Sequence, residues 1–443
     1  MNIVVIGGGA REHAICDAVI RSDNATLFSV MNNLNPGIER ISKDYLREKE
    51  TNVSSVVDYA SIHNCDIALI GPEAPLQQGL TDALIKEGIS TCAPSKDAAR
   101  IETDKEWMRH LLQKYEIAGQ IKHASFKSVD KALAFVEELN GEAALKPIGL
   151  TGGKGVWVAG DHFTDLEGAQ AYISTIFTKK IGGQAKVLIE EKQVGEEFTL
   201  QAFADGKMIL PLPAVKDHKR LHPDDKGPNT GGMGSYSTAN GLLPFISRSD
   251  YEQAAAILQD IVEALSLESC PYIGPIYGQF MLTSQGIKII EINARFGDPE
   301  AMNVLPLLKT DFIQLTQAMI DGRLYTQQVN VEKTATVCKY VVPEGYGIKS
   351  MVDQPIQVDE QYISKTGSQL FYASVNKMND IIKTTSSRSL AVVGMDEDLS
   401  SAEQHCEHAL QYITGDHIYI RHDVGTQMLI EKQVNMMKRL RGI

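Results

Sequence analysis

Glu291 and Asn293 lie two apart in the run Ile289-Ile290-Glu291-Ile292-Asn293. The isoleucines favour a strand, and on a strand both polar side chains point to one face. A carboxylate on a sheet face is costly to bury unless it is paired or holds a cation. Gln279 stands on the apolar stretch before it, across a Gln285-Gly286 turn. One carboxylate and two amide oxygens make a small set of hard ligands. Such a set suits Mg2+, which keeps its waters and fills its shell from nucleotide phosphates. No His or Cys cluster with zinc spacing occurs. These residues therefore point to metal-bound ATP.

The glycine loop Gly149-Leu150-Thr151-Gly152-Gly153-Lys154-Gly155 is the second chemical signal. It is not a P-loop: Ile148 stands where the first glycine is needed, and Gly155 replaces the Mg2+-binding hydroxyl. A flexible glycine loop between two strands can instead close over a triphosphate as a flap. Lys146 precedes it, kept extended by Pro147. Lys146 and Lys154 read as phosphate ligands, with ordinary surface lysines as the plain alternative. Glu190-Glu191-Lys192-Gln193-Val194 closes the next strand and would offer an acceptor to an adenine amino group, while Glu197 would hold ribose hydroxyls.

Two further loops carry mixed charge and glycine. Asp217-His218-Lys219-Arg220 and Gly227-Pro228-Asn229-Thr230-Gly231-Gly232-Met233-Gly234 are too polar for a core. They read as a clamp on a substrate carboxylate or phosphate, or more plainly as surface loops. Gly7-Gly8-Gly9-Ala10-Arg11-Glu12-His13 joins a strand to a helix, a ready anion site. Arg11 and His13 are expected to add positive charge there. A dinucleotide fingerprint is disfavoured, because Glu12 occupies the third glycine position and Met31-Asn32-Asn33 brings no acid to the second strand end.

The elements that must hold these loops follow from periodicity. Apolar runs at Ile3–Ile6, Leu27–Val30, Ile67–Ile70 and Ile89–Cys92 alternate with helical stretches at Val53–His63 and Gln77–Glu87. That rhythm predicts a parallel sheet whose ligands lie at the strand carboxyl ends. One helix is expected from about Lys96 to Tyr115. A smaller α/β unit follows from about Ile121 to Val194, with strands at Ala143–Lys146, Val156–Ala159 and Lys186–Val194 and a helix over Asp165–Phe177. Residues 217 to 236 read as turns. Tyr251–Leu265 has an amphipathic helical stripe. A third unit begins past about Asn330, with a strand at Leu390–Val393 and a helix opened by a Ser400-x-x-Glu403 capping box.

The chain has 443 residues, 43% of them apolar, enough for about three domains. No apolar run reaches membrane-spanning length. The start, Met1-Asn2-Ile3-Val4-Val5-Ile6, reads as a strand, so no secretory leader is expected. Six scattered cysteines fit free thiols in a reducing cytoplasm. A net charge of −13 argues against a nucleic-acid partner.

With "GGGAREHA" at Gly7–Ala14, "GPEAPL" at Gly71–Leu76, "DHKR" at Asp217–Arg220, "GPNTGGMG" at Gly227–Gly234 and "RFGDPE" at Arg295–Glu300, the chain resembles one family over almost its whole length. That family is the phosphoribosylamine–glycine ligases (glycinamide ribonucleotide synthetases) of the ATP-grasp superfamily. The resemblance implies an α/β chain of three parts. A parallel-sheet domain over 1–102 binds phosphoribosylamine. An α+β ATP-grasp domain covers 103–330, with a mobile lid over about 121–194, and a C-terminal α+β domain covers 331–443. It implies an ATP-dependent ligation of glycine to 5-phosphoribosylamine in purine biosynthesis, using Mg2+ or Mn2+, in the cytoplasm, as a monomer or weak homodimer without nucleic-acid or membrane partners.

By position the resemblance assigns Gln279, Glu291 and Asn293 to metal. It assigns Lys105, Lys146, Lys154, Glu190, Glu191, Val194 and Glu197 to ATP. Gly9, Arg11, Glu12, His13, Pro72 and Glu73 fall on the phosphoribosylamine side. Asn229, Gly231, Gly297 and Asp298 line the substrates, with Asp217, Lys219 and Arg295 at the glycine and acceptor region. Ile148 departs from the family pattern, which has an aspartate there. Competing readings are another ATP-grasp carboxylate–amine ligase or carboxylase, a nucleotide sensor, and a nicotinamide oxidoreductase.

Overall fold

The computed structural model describes residues 1–151 and 155–442. Lys154, singled out above, lies outside the described residues. Five parallel strands form the first sheet, in the spatial order Asp44–Arg47, Thr26–Met31, Asn2–Ile6, Ile67–Ile70 and Ser90–Cys92. Alternate residues of Asn2–Ile6 feed opposite cores. Val4 and Ile6 pack with Val30 and Leu76, and Ile3 and Val5 with Ile15 and Leu27. A parallel sheet is covered on both faces, hence its unbroken apolar runs. The polar edge strand Asp44–Arg47 lacks such a run and escapes the sequence reading. Chain order departs from Asn2–Ile6 in both directions, so the crevice opens between it and Ile67–Ile70. The loops leaving these two strands begin at Gly7 and Gly71, where the motifs "GGGAREHA" and "GPEAPL" start.

Two expected helices are broken by local chemistry. The one over Gln77–Glu87 is replaced by Glu73–Gln77 and Leu80–Lys86, divided at Gly79 with φ +82°. The one over Lys96–Tyr115 is replaced by Arg100–Thr103 and Lys105–Lys114. Asp104 is extended between them and caps the second, accepting from the Trp107 N–H at 3.0 Å.

The central part has two sheets. One is antiparallel, in the order Ile209–Pro211, Gly195–Asp205, Ile273–Thr283 and Gly286–Asn293. The Arg248–Leu267 helix, opened by a Ser247/Asp250 capping box, packs Ile257, Leu258 and Ile261 into the same core as Phe280 and Ile289. The other sheet runs His123–Phe126, Val187–Glu191, Ala143–Pro147 and Trp157–Val158. With the helices Val129–Glu138 and Leu166–Lys179 it encloses a separate small core that includes Val136, Leu145, Ile173 and Ile189.

The C-terminal part is built around Ala335–Pro343, flanked by Leu390–Asp396 and then Ser368–Tyr372. Residues 217 to 236, expected as turns, in fact supply strands to this sheet. Gly234–Ser237 pairs with Ala335–Pro343, and Lys216–Asp217 pairs with Gly234–Ser237. Arg220–His222 and Lys226–Asn229 make a separate hairpin. The expected Ser400/Glu403 capping box is absent. Asp398 caps the Leu399–Leu410 helix instead, accepting from Ser401, and Glu403 turns to the buried Lys339 ammonium at 2.6 Å. Among the described residues no helix is long and apolar enough to cross a membrane.

Candidate functional site

In the antiparallel pair, Gln279 lies opposite Glu291 but Phe280 lies opposite Ile289. Ile290 is left over as a bulge. Before it, Ile287 and Ile289 enter the core, and after it Ile292 does. The extra residue reverses the alternation, so Glu291 and Asn293 turn into a cleft. Without it they would share the buried face of Ile287 and Ile289. The Ile290 carbonyl accepts from the Lys146 ammonium at 3.3 Å and the Arg109 guanidinium at 3.1 Å.

Asn293 Nδ2 stands 3.5 Å from Glu291 Oε1. Gln279 Oε1 accepts from Lys219 and, at 3.3 Å, from the Tyr277 hydroxyl, while its Nε2 donates to Glu197. Burial pushes the Glu291 carboxyl up, but Lys219, Lys146 and Lys105 together hold it below the ordinary range. Among the described residues no group of three or more His, Cys, Asp or Glu is placed to hold a metal. The donor set therefore fits a cation that brings phosphate and water oxygens with it.

On the facing sheet Lys146 is buried, with its Nζ 2.6 Å from Glu190 Oε2. The other Glu190 oxygen lies 2.6 Å from Arg109 Nε. Burial pushes this carboxyl up, yet Arg109 and Lys146 reverse that and bring it to about 2. Both Glu190 oxygens are thus engaged in fixing cations. Glu191 Oε1 accepts from the Lys122 N–H at 2.9 Å. Val194 is exposed, between the strands Val187–Glu191 and Gly195–Asp205. Lys105 Nζ donates to the Gly149 carbonyl at 2.8 Å and its N–H to the Ile148 carbonyl at 3.2 Å. Burial lowers the Lys105 ammonium despite nearby Glu291. The departing Ile148 is itself buried.

The substrate loops meet the same cleft. Lys219 stands 3.9 Å from Glu197 and 3.8 Å from Glu291. Burial disfavours its charge, but Glu291, Glu197 and Asp217 raise it above an ordinary lysine. Glu300, fully buried, accepts from the Tyr277 hydroxyl at 2.9 Å. Burial and the neighbouring Asp217 push its carboxyl up to about 7. Asp217 is raised as well, first by burial. Asp298 is gripped by Arg388 at 3.0 Å and by the Tyr340 hydroxyl at 2.5 Å. Arg388 also donates to the Gly231 carbonyl at 2.5 Å. Asn229 pairs with Arg220 in the hairpin. Gly297 donates to Gln201 Oε1 at 2.7 Å, and a Cβ there would strike Glu300 at 2.4 Å.

The N-terminal loop closes the far end. Glu12 folds back on its helix N-terminus, accepting from the Gly9 N–H at 2.8 Å and from Arg11 at 2.6 Å. Arg11 also reaches the Phe296 carbonyl at 3.3 Å. Arg295 bridges Glu73 at 3.1 Å and Glu102 at 2.9 Å. His13 does not bring the charge expected of it. Its ring is buried against Phe371 and Tyr372, and Nδ1 accepts from the Tyr372 N–H at 2.9 Å. Burial, with nearby Arg40, brings its pKa down to about 3, so it is neutral.

One cavity of about 850 Å3 joins these parts, with Lys146 and Glu291 on its wall together with Lys219, Arg295, Glu73 and Arg11. Pro72, Glu190, Glu191, Glu197, Asp217, Asn229, Gly231, Asn293, Gly297 and Asp298 also line it. Gly9, Glu12, His13, Lys105, Val194 and Gln279 stand outside that lining. Sequence reasoning missed Arg109, Glu102 and Arg388, whose partners are distant in the chain, and Tyr277, which reads as an apolar strand residue until its hydroxyl meets Glu300. Glu300 was quoted in its motif without a role. Its signal was an acid next to Pro299 in a glycine turn.

Family models match the chain in three stretches. Residues 1–102 match the phosphoribosylglycinamide synthetase N domain, 103–301 the ATP-grasp (A) domain and 336–427 the C domain. The phosphoribosylamine–glycine ligase of Methanothermobacter thermautotrophicus is 48% identical over 442 residues, covering 100% of both chains. That of Methanocella arvoryzae is 47% identical over 444 residues, again covering 100% of both. The crystal structure of phosphoribosylamine–glycine ligase from Thermotoga maritima superposes with a TM-score of 0.80 at 22% identity, over 96% of this chain and 100% of that one. A biotin carboxylase domain of Hydrogenobacter thermophilus 2-oxoglutarate carboxylase, in complex with MgADP, gives 0.74 at 13% identity, over 99% and 93%. These two likenesses speak to the fold, which is the three-part ATP-grasp architecture. On the full-length identity with its relatives, this chain belongs to the phosphoribosylglycinamide synthetase family.

Proposed function

We infer that the protein is an ATP-dependent ligase that joins glycine to 5-phosphoribosylamine, giving glycinamide ribonucleotide, ADP and phosphate. The carrying observation is that one cleft wall carries both the Glu291/Asn293 pair with Lys146 and the group Arg11, Glu73 and Arg295. Groups suited to a nucleotide and groups suited to an anionic substrate thus share one cleft. The full-length relatives named phosphoribosylamine–glycine ligase support the same reading.

A carboxylate is a poor electrophile, so glycine must first be activated. Lys146, fixed by Glu190, and Lys105 bind the phosphates and aim the terminal phosphoryl group at a glycine oxygen. Lys219 and Arg295 hold the glycine carboxylate and neutralise its charge. Glu291, with Asn293, would hold Mg2+ or Mn2+, which offsets phosphate repulsion when bound; Gln279, its oxygen taken by Lys219 and Tyr277 behind the cleft wall, is not placed to join them. ADP leaves and glycyl phosphate forms. The sugar amine, placed by Arg11 and Glu73, then attacks the carbonyl. The carbon–oxygen bond to phosphate breaks and the amine sheds a proton. Glu300, held to about 7 beside Asp217, is poised to receive it.

Each role is a proposal about residues of one chain, consistent with a monomer or weak homodimer. Six buried free cysteines accord with a cytoplasmic enzyme. Phosphate release tests the reading directly. It should need ATP, glycine and phosphoribosylamine together. Full release with glycine or phosphoribosylamine omitted would refute it.

A further inference from the structure

Glu102 has no place in the chemistry above, yet it is buried at the centre of the cleft's support. One carboxylate oxygen takes the Arg295 guanidinium at 2.9 Å, and the other takes the Ala294 N–H at 2.7 Å. Ala294 directly follows Asn293. A single side chain therefore fixes both the substrate-side arginine and the turn that ends the metal-side strand.

The same short helix, Arg100–Thr103, leads through Asp104 into Lys105. There the chain changes partner. The Lys105 N–H and ammonium hold the Ile148 and Gly149 carbonyls, just after the strand Ala143–Pro147. One turn further on, Arg109 holds Glu190 and the Ile289 carbonyl at 3.0 Å, as well as the bulge at Ile290. Residues 102 to 109 thus grip the substrate-side arginine, the Ile148–Gly149 turn and the metal-side strand. Coupling between two sites is carried by such a connected element when both ligands bias its arrangement.

We propose that Glu102 is a positioning residue that couples glycine binding at Arg295 to nucleotide binding beside Lys146 and Glu291 through the Arg100–Thr103 helix and Lys105. The coupling rests on the ligase reading, since it needs glycine at Arg295. With nucleotide in place, Lys105 is drawn onto phosphate and the helix is held. Glu102 then presents Arg295 in one orientation, and glycine no longer bears the cost of ordering it. Without the carboxylate, Arg295 keeps only Glu73 and its neighbour's carbonyl at Phe296, and the link to Lys105 is cut.

Calorimetric titration of glycine into the full chain tests this, with and without magnesium and the imido analogue of ATP. In the wild type the analogue should tighten glycine binding about tenfold. In Glu102→Gln the gain should fall below about twofold while the analogue itself still binds. Glu102→Asp keeps the charge but is too short to span both partners. It should give an intermediate gain, and it guards against a glutamine variant that fails to fold. An undiminished gain in both variants would overturn the coupling, as would a wild type that binds glycine equally with and without nucleotide. A wild type that binds no glycine in either state would overturn the coupling, while phosphate release with all three substrates decides the ligase reading separately. A purely structural role for Glu102 would lower the melting temperature and leave the gain intact.

Discussion

Gln279 and Glu291 form the last cross-strand pair before the register breaks, and Ile290 is the residue left over. Glu291 owes its place in the cleft to that break. Glu291→Gln keeps the shape and removes the charge that three lysines face. Turnover should fall about a thousandfold while the melting temperature holds. A phosphate-release assay beside a thermal melt separates the two. Near-normal turnover at ordinary Mg2+ would remove Glu291 from the metal site.

Glu190 makes an acid-stability prediction. Its folded carboxyl, at about 2, sits below the ordinary 4.5. The stability it contributes is therefore whole above about 4.5 and is lost as pH falls toward about 2. That contribution is on the order of 3 kcal/mol. Glu190→Gln leaves Arg109 and Lys146 buried without a counter-charge, so it should be less stable at pH 7. Its acid loss should be shallower, and the two stability curves should converge on acidification. Parallel curves from thermal melts across this range would count against the pairing.

Some of this was legible in the sequence and some was not. The strand around Glu291 and the shared face of Glu291 and Asn293 follow from residue type and spacing. Which face that is does not follow, because a bulge leaves no mark in the composition. The loops at Gly7 and Gly71 could be placed at strand ends, because parallel strands carry apolar runs that end sharply. Asp44–Arg47 lies at an edge and needs no such run. The strands within residues 216 to 237 are short, and the one that joins them to a sheet, Gly234–Ser237, finds its partner in Ala335–Pro343, about a hundred residues on. Arg109 and Glu102 look like surface charges on helices until residues almost two hundred positions away are packed over them. His13 misled for the same reason: the aromatic wall that keeps it neutral comes from Phe371 and Tyr372.

Gly149 tests the hold on Lys105. A Cβ at this position would lie 2.3 Å from the Gly182 carbonyl oxygen. Gly149→Ala must therefore move the backbone whose carbonyl holds Lys105. Loss of that charge-assisted bond should raise the KM for ATP at least about tenfold, with a smaller change in the KM for glycine. An unchanged KM for ATP would mean that Lys105 does not need the Gly149 carbonyl.

Glu300 makes a prediction about rate against pH. A base must be ionised to accept a proton, so turnover should fall as pH drops through about 7. Glu300→Gln should be slow at every pH and should lose that limb of the profile. Persistence of the limb in the variant would assign it to another group, with Asp217 the first candidate.

The order of bond changes is open to an isotope test. Direct attack by an amine on a carboxylate would have to expel oxide, which has no stabilised leaving form. No serine or cysteine is paired with a base on the cleft wall among the described residues to carry an acyl group. Phosphoryl transfer to glycine removes the obstacle, and the lysines at 105, 146 and 219 offset the repulsion between the two anions. One carboxylate oxygen of glycine must then depart with the phosphate. Glycine labelled with heavy oxygen in both carboxylate positions should yield phosphate carrying one labelled atom per turnover, and an amide product that keeps the other. Mass spectrometry of the released phosphate reads this directly. Unlabelled phosphate would rule out glycyl phosphate even if ligation itself were confirmed, and would require the oxygen to leave by a route that this cleft does not provide.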